Sequence, residues 1–120
     1  MSPTSLTVFF LIRTRPAWLA WSPEQRQRFV DQTLRPILAR HPDITLRYFD
    51  AEAYSARITD LMMWQVGSEA DYRRLVEDLR ETRFWGDLFE VVEIIPCVED
   101  GFARHYRVDG FGPARPGTAT

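Results

Sequence analysis

The sequence predicts a single α+β domain whose strands and helices follow one another in the order βαββαβ. Two observations lead to this fold class. Short runs rich in β-branched and aromatic residues alternate with two segments whose apolar residues recur at helical spacing. Each of these two segments opens on a serine that can cap a helix. The 120 residues fit one domain, and a hydrophobic fraction of 45% is enough for a packed core.

The first part of the chain predicts a strand followed by an interrupted helix. Residues 6–13 form a short apolar run typical of a buried strand, and Pro16 ends it. Ser22 and Gln25 form a capping box, so a helix begins at residue 23. Pro36 lies inside this helical pattern and removes one backbone hydrogen bond, which predicts a kink near Thr33.

Two strands are predicted next, joined by a connection that is long for a tight hairpin. Residues 44–51 alternate in a way that places Leu46 and Tyr48 on one face. Residues 58–66 form the next strand, in which Asp60, Met62 and Trp64 share a face.

The last part of the chain predicts a helix, a fourth strand and a tail. Ser68 begins the second helix, and residues 88–95 form the fourth strand, which Pro96 closes. This strand is apolar except for Glu90 and Glu93. We predict one domain over residues 1–108 and a flexible tail over residues 109–120, which are rich in glycine, proline and arginine.

These elements predict a ferredoxin-like fold, in which a four-stranded antiparallel sheet carries both helices on one face. The strands nevertheless have large apolar residues on both faces, as in the consecutive pairs Phe9-Phe10 and Leu61-Met62. A sheet that faces water on one side should alternate cleanly between apolar and polar residues. We therefore predict a homodimer in which two sheets pack face to face, forming a dimeric α+β barrel.

Composition and motifs argue against several function classes. The net charge of -2, without a basic run, makes nucleic acid a poor candidate partner. The glycines form no phosphate-binding loop, and the histidines and the single Cys97 have no metal-ligand spacing. The N-terminus does not resemble a signal peptide, and the apolar runs are too short to span a membrane. We expect a cytoplasmic protein without a membrane partner.

Several segments of the sequence resemble the darcynin family. They are residues 16–19 (PAWL), 35–38 (RPIL), 47–53 (RYFDAEA), 76–82 (VEDLRET), 84–86 (FWG) and 89–96 (FEVVEIIP). The resemblance covers roughly residues 5 to 108 and implies no particular activity, because that family has no established general function. More loosely, the domain is similar to dimeric α+β barrel proteins. Those include cofactor-independent monooxygenases, cyclases, haem enzymes and stress proteins, so the likeness concerns the fold and not the chemistry.

Acid–base chemistry is the reaction type that the residues favour. Asp60 and Glu93 are carboxylates among apolar neighbours, so each must be paired or have a raised pKa. Either could act as a general base on a proton next to a carbonyl, with Arg57 stabilising the resulting oxyanion. His105 could fold over the site from the tail and titrate near neutral pH. The competing interpretation is that these charges form structural ion pairs.

Aromatic side chains suggest a flat organic ligand, and we expect Tyr48, Trp64, Trp18, Phe84 and Trp85 to contact it. Core packing explains Trp64 and Phe84 equally well. Two hypotheses stay open. The first is a protein that binds a small apolar or aromatic molecule and could act on it as a cofactor-independent cyclase, isomerase or monooxygenase of secondary metabolism. The second is a non-catalytic dimeric binding or scaffold protein. No cofactor is expected, and haem held by His105 is a distant third hypothesis.

Overall fold

The computed structural model describes residues 5–113. Its four strands are β1 (Leu6–Thr14), β2 (Thr45–Asp50), β3 (Asp60–Val66) and β4 (Phe89–Cys97). Its helices are α1 (Pro16–Leu19), α2 (Pro23–Phe29), α3 (Arg35–Arg40), α4 (Glu69–Arg80) and α5 (Gly101–Tyr106). A π-helical turn (Val30–Leu34) joins α2 to α3, so that these three segments form one continuous helix.

The strands form one antiparallel sheet in the order β2-β3-β1-β4. In its middle, Phe10 of β1 lies opposite Met62 of β3 on one side and Ile94 of β4 on the other. The first and last elements of the predicted order therefore lie side by side, with β2 and β4 at the edges. This arrangement confirms the predicted ferredoxin-like α+β fold.

The core lies between one face of the sheet and the helices. Val8, Phe10 and Met62 are fully buried on that face, and they belong to one apolar cluster with Ile37 of α3 and Leu75 of α4. Every second residue of β3 is buried, because successive side chains of a strand point to opposite faces. The predicted face shared by Asp60, Met62 and Trp64 is the one that faces the helices.

The helix interruption predicted from Pro36 takes the form of the π-helical turn. Proline has no backbone N–H to donate to the preceding turn, and the Arg35 N–H donates to the Val30 carbonyl, five residues back. Val30 and Leu34, the first and last residues of this turn, line one cavity together with Leu46 and Tyr48 of β2.

Three local predictions were wrong. The connection after β1 contains the short helix α1, and a further helix, α5, follows β4 inside the predicted domain. The fourth strand continues through Pro96 to Cys97, because β4 is an edge strand, where a missing N–H is tolerated. Glu93 therefore belongs to an edge strand, since β4 pairs with β1 alone in this sheet.

The predicted domain boundary at residue 108 stays a prediction. Past that point, the backbone N–H groups of Phe111 and Gly112 donate to the Asp100 carboxylate, at 3.0 and 3.1 Å. These contacts hold the first residues of the predicted tail near the start of α5. Residues 114–120, the rest of that tail, lie outside the described residues.

The second face of the sheet, called the open face below, is also largely apolar. Phe9, Leu61 and Met63 lie partly exposed at its centre, and Phe49 and Ile95 on the edge strands are 38% and 40% exposed. The register places Phe9 beside both Met63 and Ile95, so the apolar side chains form one continuous patch.

Candidate functional site

A cavity of ≈ 360 Å³ lies between the helix side of the sheet and the π-helical turn. Its size falls within the range of about 300–1,000 Å³ typical of small-molecule sites. Its walls are mostly apolar or aromatic, and they consist of Trp18, Val30, Leu34, Arg35, Leu38, Leu46, Tyr48, Met62, Phe84 and Phe89. We refer to it as the helix-side cavity.

The floor of the helix-side cavity is built from core residues. Met62, Phe84 and Phe89 are each at least 97% buried. Phe84 and Phe89 stack with ring centroids 5.1 Å apart, and Phe89 also contacts the Trp18 ring at 4.8 Å. Because these rings support one another, the floor is held in a fixed shape.

Trp18 reaches this cavity because α1 turns the chain back over the sheet directly after β1. Its backbone carbonyl accepts a hydrogen bond from the Arg26 guanidinium at 3.2 Å, which ties α1 to α2. Trp18, one of the predicted ligand contacts, therefore forms a wall of the cavity. Trp21 packs against Trp18 from outside, at 6.0 Å between centroids.

The rim of the cavity lies between the interrupted helix and the edge strand β2. Tyr48 on β2 is 49% exposed, and the Arg35 side chain is 67% exposed. Leu34 and Leu38 lie between them, partly buried. A ligand can therefore enter past Tyr48 and Arg35 and place its apolar part on the Met62 and Phe84 side chains.

Asp60 lies beside the rim, at the start of β3. Its side chain is on the same face as Met62, the residue opposite Tyr48, so the carboxylate lies diagonally across the strand pair from the Tyr48 phenol and acts on it. The Thr59 hydroxyl donates to Asp60 Oδ2 at 2.8 Å, and the Thr14 N–H donates to Thr59 Oγ1 at 2.8 Å. This chain of bonds fixes the carboxyl group against the Tyr48 phenol.

Burial raises the pKa of the Asp60 carboxyl, while the hydrogen bonds from Thr59 and Tyr48 act in the opposite direction. The pKa of the Tyr48 phenol is raised as well, first by burial and then by the charge of Asp60 and its hydrogen bond. Asp60 thus accepts a proton more readily than an exposed aspartate does, and Tyr48 stays protonated. Such a pair can pass a proton from the cavity to the carboxylate.

The raised pKa of Asp60 predicts a loss of stability as pH rises. Below the ordinary value of 3.8 the carboxyl is protonated in both states. Between that value and the raised native pKa, the native state binds more protons, so the free energy of unfolding falls with increasing pH. We expect Asp60→Asn to remove this part of the pH dependence. Urea unfolding of both proteins, followed by tryptophan fluorescence from about pH 4 to 7, measures it. A parallel pH dependence in both proteins would contradict the assignment.

Arg57 and Glu93, the other two residues proposed for acid–base chemistry, form a separate pair. Arg57 Nη1 lies 3.3 Å from Glu93 Oε1, and both side chains are about half exposed, at 58% and 48%. The Arg57 carbonyl also accepts a hydrogen bond from Arg13, a residue of the open-face side. Neither residue lines the helix-side cavity.

His105 also lies away from the helix-side cavity. It is exposed on α5, where its ring contacts Tyr106 edge-on at 4.7 Å. Within residues 5–113 the cavity lining contains no histidine or cysteine, so the residues there do not fit the haem hypothesis. Over the same residues, no cluster of three metal-ligating side chains occurs.

The remaining aromatic candidates divide between cavity and core. Phe84 is part of the cavity floor. Trp64 is 1% exposed and packs on Phe10, and its Nε1 has no hydrogen-bond partner among the described residues. Trp85 contacts Phe10 edge-on, with the Arg80 guanidinium 5.0 Å above its ring. Of the five predicted ligand contacts, the structure brings Tyr48, Trp18 and Phe84 together at one cavity.

Sequence reasoning missed the helical wall of the cavity. Val30, Leu34 and Leu38 follow an ordinary core pattern in the sequence, Arg35 follows an ordinary exposed one, and only the interruption at Pro36 marked this segment. π-helical turns occur frequently at functional sites, so the proline was the signal that could have found this wall.

The other histidine, His41, has a structural role. Its Nε2 lies 2.7 Å from Asp78 Oδ2, and Arg40 approaches the same oxygen at 3.3 Å, which links α3 to α4. The His41 hydrogen bond lowers the pKa of Asp78; burial opposes this shift, and the Arg40 charge adds to it. This contribution to stability is present above the ordinary aspartate pKa and lost as pH falls, opposite in sign to that of Asp60.

No helix within the described part of the chain is both long and apolar enough to cross a membrane.

The sequence matches one protein-family model and several of that family's members. Residues 1–113 match the family model described as Darcynin, a domain of unknown function. A darcynin homolog from Granulibacter bethesdensis is 48% identical over 103 residues, which is 85% of this chain and 83% of that protein. A second homolog, from Streptomyces avermitilis, is 40% identical and covers 87% of both chains.

Solved structures show likeness of fold alone. A variant of chlorite dismutase from Candidatus Nitrospira defluvii superposes with a TM-score of 0.66 at 14% identity, over 96% of this chain and 52% of that one. The same enzyme in complex with imidazole gives a TM-score of 0.65 at 13% identity, over 79% and 39%. This chain therefore spans about half the length, or less, of the solved chains it matches.

Proposed function

We propose that this chain, which belongs to the darcynin family, binds a small apolar or aromatic organic molecule in its helix-side cavity. The observation that carries the proposal is a cavity of ≈ 360 Å³ whose floor is rigid and aromatic and whose rim holds a tyrosine paired with a buried aspartate. An apolar site with few, well-placed polar groups is the usual form of a small-molecule site.

The Tyr48–Asp60 pair supports an acid–base reaction on that molecule. Tyr48 lines the cavity, and Asp60 lies behind it, where its carboxylate acts on the phenol. As Tyr48 takes a proton from a carbon next to a ligand carbonyl, its own proton passes to Asp60, and the electron pair moves onto the carbonyl oxygen. This proton transfer needs no cofactor and fits a cyclase or isomerase of secondary metabolism.

The open face supports a homodimer, which is also the basis of the alternative, non-catalytic scaffold function. Its apolar patch around Phe9 and Met63 is what a second copy would cover, in a two-fold contact of like surfaces. Arg47 on β2 and Glu93 on β4 lie on this face at opposite edges. A dimer that places β2 of one copy over β4 of the other therefore pairs opposite charges.

Filling the helix-side cavity is expected to abolish ligand binding. The probe is N-phenyl-1-naphthylamine, a neutral aromatic dye whose fluorescence rises in apolar sites. We expect saturable binding to the wild type and an affinity loss of about tenfold or more in Leu38→Trp, because the larger side chain occupies the space that the dye needs. Fluorescence titration of both proteins measures this.

The matched control is Leu19→Trp, which makes the same change at a 57% exposed position outside the cavity lining. It should bind the dye as the wild type does. Equal loss in both variants, or equal binding in both, would show that the dye does not occupy the helix-side cavity, and no saturable binding to the wild type would contradict the proposed function.

A further inference from the structure

The charges around the helix-side cavity are divided between its two sides. Among the described residues that line it, Arg35 is the one charged side chain, and it belongs to the helical side. On the strand side, the carboxylates of Asp60, Asp50 and Glu52 all act on the Tyr48 phenol. The rim is therefore basic beside the helix and acidic beside β2.

Arg35 is held in a way that leaves it available to a ligand. Its Nε donates to Asp31 Oδ1 at 2.8 Å, and both side chains are mostly exposed, at 67% and 52%. The same carboxylate oxygen accepts a second hydrogen bond, from Gln27 Nε2 at 3.0 Å. If Arg35 turned to a ligand, Asp31 would keep its hydrogen bond from Gln27 and its contact with water. Only the exposed Arg35–Asp31 ion pair would be lost, and exposed ion pairs contribute little to stability.

We infer that the ligand of the helix-side cavity is an amphipathic anion, an aromatic or branched aliphatic monocarboxylate. Its carboxylate pairs with the Arg35 guanidinium at the rim, since planar guanidinium groups bind carboxylates through two parallel hydrogen bonds. Its apolar body lies on Met62 and Phe84. This inference rests on the proposed function and adds the chemical class and the orientation of the molecule.

The acidic side of the rim fixes that orientation. A ligand carboxylate placed at Tyr48 would lie near the carboxylates of Asp60, Asp50 and Glu52, and these like charges would repel it. The anionic group therefore lies on the Arg35 side, and a neutral part of the ligand, such as a carbonyl or hydroxyl group, faces Tyr48. The reacting atoms of the proposed proton transfer would be in that neutral part.

The test is displacement of N-phenyl-1-naphthylamine by three molecules of similar shape: 1-naphthoate, 1-naphthalenemethanol and 1-naphthylmethylamine. We expect the anion to displace the dye at about one tenth of the concentration that the alcohol needs, which is the effect of one charge-assisted contact. The amine should be the weakest competitor. High salt should reduce the preference for the anion.

Variants on the same helix test whether the Arg35 charge causes the preference for the anion. Arg35→Gln should remove the preference for 1-naphthoate over 1-naphthalenemethanol, because the charged partner of the carboxylate is lost. Asp31→Asn should strengthen naphthoate binding a few fold, since Arg35 then loses its competing partner. Arg28→Gln, which removes the same charge from an exposed site outside the lining, is the control and should keep the preference.

The possible results distinguish failure of the anionic ligand from failure of the proposed function. Dye binding that is lost in Leu38→Trp, together with equal competition by all three molecules, would overturn the anionic ligand and leave the cavity as a binding site. Stronger competition by the amine would also overturn it and would assign the acidic side of the rim to a cation. Absence of dye binding to the wild type would overturn both.

Discussion

The Met63→Asp variant is expected to be a monomer in native mass spectrometry under conditions where the wild type is a dimer. Met63 lies at the centre of the open face, opposite Phe9 in the neighbouring strand. In a two-fold contact of open faces, each copy would bring one new carboxylate into the apolar interface. An uncompensated buried charge costs about 3–5 kcal/mol, and the interface would hold two of them, close to each other.

The control for the dimer is Leu19→Asp, which introduces the same charge at an exposed apolar residue of α1. It should stay dimeric. Near-ultraviolet circular dichroism on Met63→Asp should keep the wild-type signal, because Met63 faces away from the core. A dimeric Met63→Asp protein, or a monomeric wild type, would mean that two open faces do not meet.

The second large effect is expected in proton exchange. With 1-tetralone as a probe in deuterium oxide, the wild type should speed the loss of the proton signal next to the carbonyl, as followed by nuclear magnetic resonance. Tyr48→Phe and Asp60→Asn should each lower this rate by about a hundredfold, the usual contribution of a positioned acid or base. The two losses should not add, since both residues serve one transfer.

Glu93→Gln is the matched control for the exchange experiment. It removes a carboxylate that sequence reasoning proposed as an alternative base but that pairs with Arg57 outside the helix-side cavity. Its rate should equal that of the wild type. A wild type without exchange activity but with dye binding would favour the non-catalytic function, and a loss in Glu93→Gln as large as in Asp60→Asn would contradict the role of the Tyr48–Asp60 pair.

Much of the fold could be predicted because its signals are local. The capping box at Ser22 and Gln25 is present as predicted, with the Gln25 side chain accepting from the Ser22 N–H at 2.8 Å. The alternation in β3 gave the buried face correctly because strand side chains alternate strictly. The prediction that Pro96 ends the fourth strand was wrong, because a proline is tolerated in an edge strand. Whether a strand lies at an edge depends on the strand order, which is not a local property of the sequence.

The candidate site was harder to predict, because a cavity arises where elements distant in the sequence fail to fill space. Alternation showed which residues share a face with Tyr48 in β2 and with Asp60 in β3, but only the strand register places these two residues diagonally across from each other. Arg57, three residues before Asp60, was expected to stabilise an oxyanion formed at the same site, but its side chain pairs with Glu93 on β4. Arg35 carried no signal in the sequence, since an exposed helical arginine is commonplace and its position at a rim depends on tertiary packing.

A crystal structure of the protein with N-phenyl-1-naphthylamine bound tests the central claim most directly. We predict the dye between Trp18, Leu34 and Met62, with its rings on Phe84 and its open side toward Tyr48 and Arg35. The open face offers a competing depression, lined by residues that include Phe9, Met63 and Cys97. Dye bound there, or elsewhere on the surface with the helix-side cavity empty, would contradict the account.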